Sequence, residues 1–312
     1  MKKNLYATFI TIFLACSLQA QHKELTISHK RNKDNSISFR FKKENPGSTY
    51  LEIKFKNLKN TSQRKIVKKT IKGWNGFLLK LTPINKKKSI SFSYSYSSIR
   101  GSRKAKVNHN FVYLLPFKQS KKIIARDLSY LGKRFGNTNP ENWKSIQFIT
   151  KPNTAVYAAR KGIVVDIENK YESNQSLEYN YRSDANYIII EHKDGTLAKY
   201  GVLKKNSILV KLGQKVFPTT PLATTGSYDK PENNQLRFSV YFLDKNINLK
   251  RDKTATLATQ KHRYNYVNPL FFTEKGTQQL ENRSEYISAH TKDIIELEMT
   301  RRQKKKWLKK NK

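Results

Sequence analysis

Apolar residues at every second position dominate the first third of this chain. In "SISFRF" Ile37, Phe39 and Phe41 share one side, in "LEIKFKNL" Leu51, Ile53 and Phe55 do, and in "ISFSYSYSS" Ile90, Phe92, Tyr94 and Tyr96 alternate with serine. A period of two with one apolar face is the pattern of antiparallel strands that bury one side. The breaks agree. "ENPGS" is a Pro-Gly turn, and "WNGF" carries the Asn75–Gly76 pair of a tight hairpin. Five or six short strands in about 95 residues predict a small antiparallel β-sandwich over residues 21–115, of immunoglobulin-like type. Its lysine-rich outer face reads most simply as a solvated sheet surface that also resists edge pairing.

A second β region follows. "YLLPFKQSKK" (113–122) leads into it, and "TAVYAARKGIVVDI", "NYIIIEHKDG", "TLAKYGVL", "SILVKLGQKV" and "NQLRFSVYFL" read as strands joined by turns. The polar stretch "ENKYESNQSLEYNYRSDAN" between two of them reads as a loop. The expected units are a β domain over 116–245, an extension with a hairpin over 246–290, and a basic tail over 291–312 that is helical or disordered. The fold class is therefore all-β.

Residues 1–20 read as a secretory signal: basic "MKK", the apolar run "LYATFITIFLAC", and a small-residue cleavage site after Ala20. Cys16, the only cysteine, offers a second reading as a lipid-bearing N-terminus. Cleavage after Ala20 leaves no thiol, which excludes disulfides, thiolate catalysis and cysteine–zinc sites. The expected location is the periplasm or cell surface. Lys and Arg number 62 against 23 Asp and Glu, a net charge of +39. Of the bases, 23 fall within residues 21–117 with only four acids, and eight fall in "RRQKKKWLKKNK" at the end. Such a field draws polyanions and is screened by salt. Its plainest reading is solubility. For an exported protein the reachable polyanions are wall polymers, lipopolysaccharide and anionic lipid. Export removes nucleic acid as a physiological partner, and no nucleic-acid motif is visible.

The order "KPNTAVYAARKGIVVDI", "NYIIIEHKDGTLAKYGVL", "ILVKLGQKVFPTTPLATTGS", "NQLRFSVYF" resembles the LytM/lysostaphin-like metallopeptidases, peptidase family 23, over residues 143–243. "YVNPLFFTEKG" resembles the segment that follows this domain in some relatives. The resemblance implies a LytM-like (duplicated hybrid motif) antiparallel β domain with a groove across one sheet. In that family a His, an Asp and the second His of a His-x-His hold zinc, and two further His act on water and substrate. Carried over by position, the Asp falls on Gln147. The upstream His falls near Trp143, or near Asn137 with a longer spacing. The strand His falls on Val202, and the His-x-His falls on Gln235 and Arg237. None of the five is retained.

Zinc at a catalytic site takes about three deprotonated N, S or O ligands. Amides and indole are poor substitutes, and a guanidinium brings a positive charge to a cation's place. Val202 cannot pass a proton, and Gln235 cannot act as a general base. No pair among the histidines 22, 29, 109, 192, 262 and 290 shows HExxH or His-x-His spacing. His192, in the matching core, reads as structural. No zinc or other cofactor is expected.

The first functional reading is therefore a degenerate member that binds peptidoglycan or regulates a cell-wall hydrolase. Gln147, Gln235 and Arg237 would meet in its groove, with Arg237 and Gln235 binding and Arg237 clamping a carboxylate. The plainer role for Arg237 is an ion pair with an acid such as Glu232. In this reading the lysine-rich sandwich and tail hold the protein to an anionic envelope surface. The alternatives are an active zinc endopeptidase that cleaves peptidoglycan cross-links through other ligands, and a structural envelope adhesin without a working groove.

Overall fold

The structure, a computed structural model, describes residues 24–129, 142–172, 185–228, 233–247, 249 and 263–310. The signal segment with Cys16, and Asn137, Glu232, His22 and His262, lie outside the described residues. The chain is almost entirely β and antiparallel. No helix among the described residues is long and apolar enough to cross a membrane.

Six strands build the N-terminal unit: β1 (Leu25–Arg31), β2 (Ile37–Lys43), β3 (Thr49–Lys59), β4 (Ile66–Ile71), β5 (Asn75–Leu81) and β6 (Ser91–Arg100). They form two three-stranded sheets, in the orders β1-β2-β5 and β4-β3-β6. The alternating residues meet between the sheets, where Ile37, Phe39, Leu51, Ile53, Leu78 and Leu81 are buried. Each such side chain contributes about 1.5–3 kcal/mol on burial. The Tyr94 and Tyr96 hydroxyls donate to the carbonyls of Ile27 and Leu25 at 3.0 and 2.9 Å, tying β6 to β1 of the facing sheet.

The Asn75–Gly76 hairpin does not form. β4 and β5 belong to different sheets, and the chain crosses between them at Gly73, whose φ is +80°. Asn75 and Gly76 instead begin β5, with Gly76 opposite Phe41. A Cβ at residue 76 would lie 2.9 Å from the Phe41 ring, so this glycine serves close packing.

The second unit is built on a nine-stranded sheet. Its strands are β8 (Lys122–Asp127), β9 (Ile146–Ile149), β11 (Gly162–Glu168), β12 (Asn186–Glu191), β13 (Leu197–Leu203), β14 (Lys215–Val216), β16 (Gln235–Leu243), β17 (Tyr264–Val267) and β20 (Ser284–Ile287). The order is β14-β11-β12-β13-β16-β9-β8-β20, and β17 also pairs with β16. A short pair, β10 (Ala155–Tyr157) and β15 (Pro221–Thr224), packs on it. The expected hairpin of the extension is β18 (Leu270–Thr273) with β19 (Gly276–Gln278). β7 (Val112–Leu114), drawn from sequence with the sandwich, pairs in parallel with β18. Phe111, Tyr113, Leu115 and Phe117 lie in the core of this second unit, beside Phe148, Phe238 and Phe271.

Two helices make the tail, α1 (Lys292–Glu296) and α2 (Arg301–Lys310). Thr300 and Gln303 cap α2 reciprocally: the Gln303 Oε1 accepts from the Thr300 N–H at 3.0 Å, and the Thr300 hydroxyl accepts from the Gln303 N–H at 3.4 Å. Trp307 docks the helix against Leu114, Ile295 and Met299.

Polar contacts join the two units. The Glu191 carboxylate accepts from the Ser48 backbone N–H at 2.6 Å and from its hydroxyl. Arg100 pairs with Asp166 at 2.8 Å, and the Tyr187 hydroxyl donates to the same carboxylate at 3.0 Å. Deeper still, Arg160 is only 3% exposed. It donates to Asp194 at 2.9 Å, to the Tyr113 hydroxyl at 3.1 Å and to both Glu298 oxygens at 2.9 and 3.1 Å, and it lies 3.5 Å over the Phe111 ring.

Next to it, His192 is buried, with Nδ1 at 2.8 Å from the Lys161 carbonyl. Burial, reinforced by the Arg160 charge, holds its imidazole far below the ordinary value of 6.5, although Asp194 and the Lys161 carbonyl act the other way. The unfolded chain takes up this proton below about 6.5 and the folded chain does not, so the stability present above that pH is lost as pH falls. Urea unfolding should show the wild type losing about 1.4 kcal/mol more than His192→Gln between pH 7.5 and 5.5. Parallel pH profiles would show that His192 carries no such linkage.

Candidate functional site

Strands β9, β16 and β13 lie side by side, and their register assembles the site. Arg237 stands opposite Gln147 on β9 and opposite Gly201 on β13. Gln235, two residues before Arg237, projects on the same face of β16. The Gln147 Nε2 donates to Gln235 Oε1 at 2.9 Å, and the Arg237 Nε donates to the same oxygen at 3.2 Å. The Arg237 guanidinium lies 4.5 Å over the Tyr228 ring. Gln147, Gln235 and Arg237 therefore touch one another. Among the described residues Arg237 makes no salt bridge.

Val202 follows Gly201 on β13 and is buried. The register to β12 passes from Tyr187↔Gly201 to Asn186↔Leu203, so Val202 is the extra residue of a β-bulge. Its φ is +65°, a region that β-branched residues almost never occupy. The Val202 carbonyl accepts from the Gly226 N–H at 2.8 Å, and a Cβ at residue 226 would lie 3.0 Å from the Leu203 backbone. A side chain at residue 226 would force those backbones apart by a few tenths of an ångström.

Beside the cluster lies a groove of about 370 Å³. Trp143, Tyr228, Tyr264 and Tyr266 form its walls, with Lys199 and Arg237 facing it and, among the described residues, no carboxylate in its lining. The Trp143 and Tyr266 rings meet edge-on at 6.3 Å. The Lys199 Nζ sits 4.4 Å over the Tyr187 ring. Burial lowers the pKa of its ammonium; Asp166 opposes this and the Arg237 charge adds to it. Two cations held close together in a partly dry groove seek an anion.

Trp143 thus lines the groove, against Tyr266. Lys199, Tyr264 and Tyr266 were not singled out by sequence. The tyrosines alternate in "YNYV", which places both on one side of a strand, but nothing in that pattern shows that β17 adds to β16.

Two amides and a guanidinium sharing one oxygen do not fit zinc, which needs deprotonated ligands and no competing cation. Among the described residues no three His, Cys, Asp or Glu side chains are grouped so as to hold a metal.

The strain at Val202 is measurable. Val202→Gly loses a buried side chain but gains a residue at ease at positive φ, whereas Val240→Gly, equally buried in regular β16, only loses. Chemical denaturation should show Val202→Gly as the milder of the two by about 1–3 kcal/mol. Equal losses would mean that the bulge carries no strain.

A model of peptidase family M23 matches residues 141–249, about a third of the chain. Among curated proteins, the DNA-directed RNA polymerase subunit beta' of Petrotoga mobilis is 30% identical over 104 residues, which is 33% of this chain and 6% of that protein. The chain thus spans only a small fraction of that relative's length. Among solved structures, the LytM protein of Ruminococcus gnavus, of glycyl-glycine endopeptidase type, is 14% identical, with 52% of this chain and 57% of that chain covered and a TM-score of 0.31. The catalytic domain of the prophage-encoded M23 protein EnpA from Enterococcus faecalis is 19% identical, with 35% and 77% covered and a TM-score of 0.25. Csd3 of Helicobacter pylori is 12% identical, with 92% and 79% covered and a TM-score of 0.29. Residues 141–249 of this chain are thus similar to peptidase family M23.

Proposed function

We propose that this is an exported cell-envelope protein whose M23 domain does not cleave. Its groove binds peptidoglycan, or a cell-wall hydrolase that acts on it. The observation that carries the reading is the Gln235 Oε1 shared between Gln147 and Arg237, at the place where the family resemblance implies zinc. The vacated ligand positions are occupied by groups that satisfy one another.

An arginine stays charged at any physiological pH and recognises a carboxylate by paired hydrogen bonds. Lys199 adds a second positive charge to the same groove. The carboxylate of a peptidoglycan stem peptide, or an acidic side chain of a partner hydrolase, meets that demand. The aromatic walls offer flat apolar faces to the rest of the ligand. The basic sandwich and α2 would hold the protein against an anionic envelope surface, an attraction that salt screens.

Two measurements test this. Elemental analysis after zinc loading and dialysis should find far less than one zinc per chain. Co-sedimentation with purified sacculi should show binding that Arg237→Gln weakens about tenfold, the loss expected for one charge-assisted contact. One tightly held zinc per chain together with cleavage of peptidoglycan would overturn the proposal in favour of an active endopeptidase.

A further inference from the structure

A second cleft, of about 540 Å³, shares no residue with the groove. It lies where the sandwich meets the M23 domain. Residues 46–48 and 72–73 of the sandwich form one wall, residues 161–165 and 191–193 form the other, and the tail closes it with Glu298 and Gln303. Its floor is apolar, made by Pro46, Ile163 and Val165, with Ile163 37% exposed. Trp74, which follows Gly73 in the chain, is 43% exposed at its edge. A Cβ at Gly213 would lie 3.1 Å from the Trp74 ring and 3.8 Å from Pro46, so these three groups are neighbours.

The charges around this floor are unbalanced. Lys72, Lys193 and Lys215 line the cleft, are exposed and have no ion-pair partner among the described residues. The two carboxylates nearby are already engaged, Glu191 by Ser48 and Glu298 by Arg160. Lys161 donates to Gln303 at 3.0 Å, and its pKa is lowered by burial and, more weakly, by Lys193 and Lys215, against a raising effect of Glu298.

Three free ammonium groups around one opening suit an anion whose oxygens point several ways, which is phosphate rather than a planar carboxylate. A bare ion would leave Ile163 and Trp74 in water. An apolar body attached to the anion would cover them. Lysine stems and a tryptophan beside an apolar surface are also the side chains that settle where polar and apolar phases meet.

We propose that this cleft binds a phosphate-bearing amphiphile, its phosphate on Lys72, Lys193 and Lys215 and its apolar chain on Pro46, Ile163 and Trp74. The site is independent of the groove and of whether the M23 domain cleaves.

The test is titration of the intact protein with dodecyl phosphate below its micellar concentration, read by calorimetry and by tryptophan fluorescence, with Trp74→Phe assigning the optical signal. Inorganic phosphate and dodecyl maltoside are the comparators. Dodecyl phosphate should bind at least about tenfold more tightly than either. The triple variant Lys72→Glu, Lys193→Glu, Lys215→Glu should weaken it by about tenfold or more, and Ile163→Asp should do the same. The triple variant Lys86→Glu, Lys87→Glu, Lys88→Glu, with the same charge change on an exposed sandwich turn, should leave binding within about twofold. Equal damage from the two triple variants would overturn the proposal in favour of diffuse attraction to net charge. Inorganic phosphate binding as tightly would reduce the site to a plain anion site, and dodecyl maltoside binding as tightly to a merely greasy one; either result overturns it.

Discussion

One buried guanidinium, that of Arg160, holds together pieces of chain that lie far apart in sequence. Its partners are Tyr113 before it, Asp194 in the turn after β12, and Glu298 between the two tail helices. Removing a cation from water costs several kcal/mol, and only a full set of partners offsets that. Arg160 has such a set, with two carboxylates, a hydroxyl and the Phe111 ring. The set exists only when the 111–117 segment, the β12–β13 turn and the tail are all docked. The docked arrangement also dictates the state of His192, whose imidazole is kept neutral by burial and by this same charge. It further fixes Lys161 and Glu298, two walls of the second cleft.

The groove follows a different logic, set by strand register. Gln235 is buried and its amide needs partners. It finds them on the facing strand and two residues along its own. Arg237 then extends over Tyr228 and faces the groove, with no ion-pair partner among the described residues. The bulge at Val202 belongs to the same region. A valine at φ +65° persists because the Gly226 N–H holds its carbonyl and the Asn186 side chain holds the next one at 3.1 Å. Strained backbone concentrates at functional sites. Here it adjoins the strand that carries Gln235 and Arg237.

Much of the fold was legible because strands advertise themselves through alternation. Phe39, Ile53 and their neighbours could only pack by facing another sheet. The Asn75–Gly76 pair predicts a hairpin that does not form, for a reason that local signals cannot reveal: whether two consecutive strands pair with each other or cross between sheets is a tertiary choice. Gly73, one turn earlier, makes the crossing. The pairing of β7 with β18 was invisible because the partner lies more than 150 residues away in the chain. Placing Gln147, Gln235 and Arg237 together needed only the motif order, since register does the rest. Arg160 gave no signal at all, because "AARKG" reads as a basic turn. Its burial depends on acids distributed over the rest of the chain.

That distribution explains how a chain with +39 charge acquires specific basic sites. Acids are scarce, and several half-buried ones serve joints. Asp166 holds Arg100, Asp194 and Glu298 hold Arg160, and Glu191 caps Ser48. Once these are committed, no acid among the described residues is left to neutralise the lysines and the arginine that line the two concave surfaces. Convex surfaces lose such charge to solvent and salt, because water reaches an ammonium there from every side. Concave ones keep it, since their walls exclude part of the solvent. A net charge read from composition alone predicts only diffuse attraction. The use of acids as structural fasteners leaves basic side chains gathered at two concave places, the groove beside Arg237 and the cleft lined by Lys72, Lys193 and Lys215, which are the places where the proposed ligands would sit.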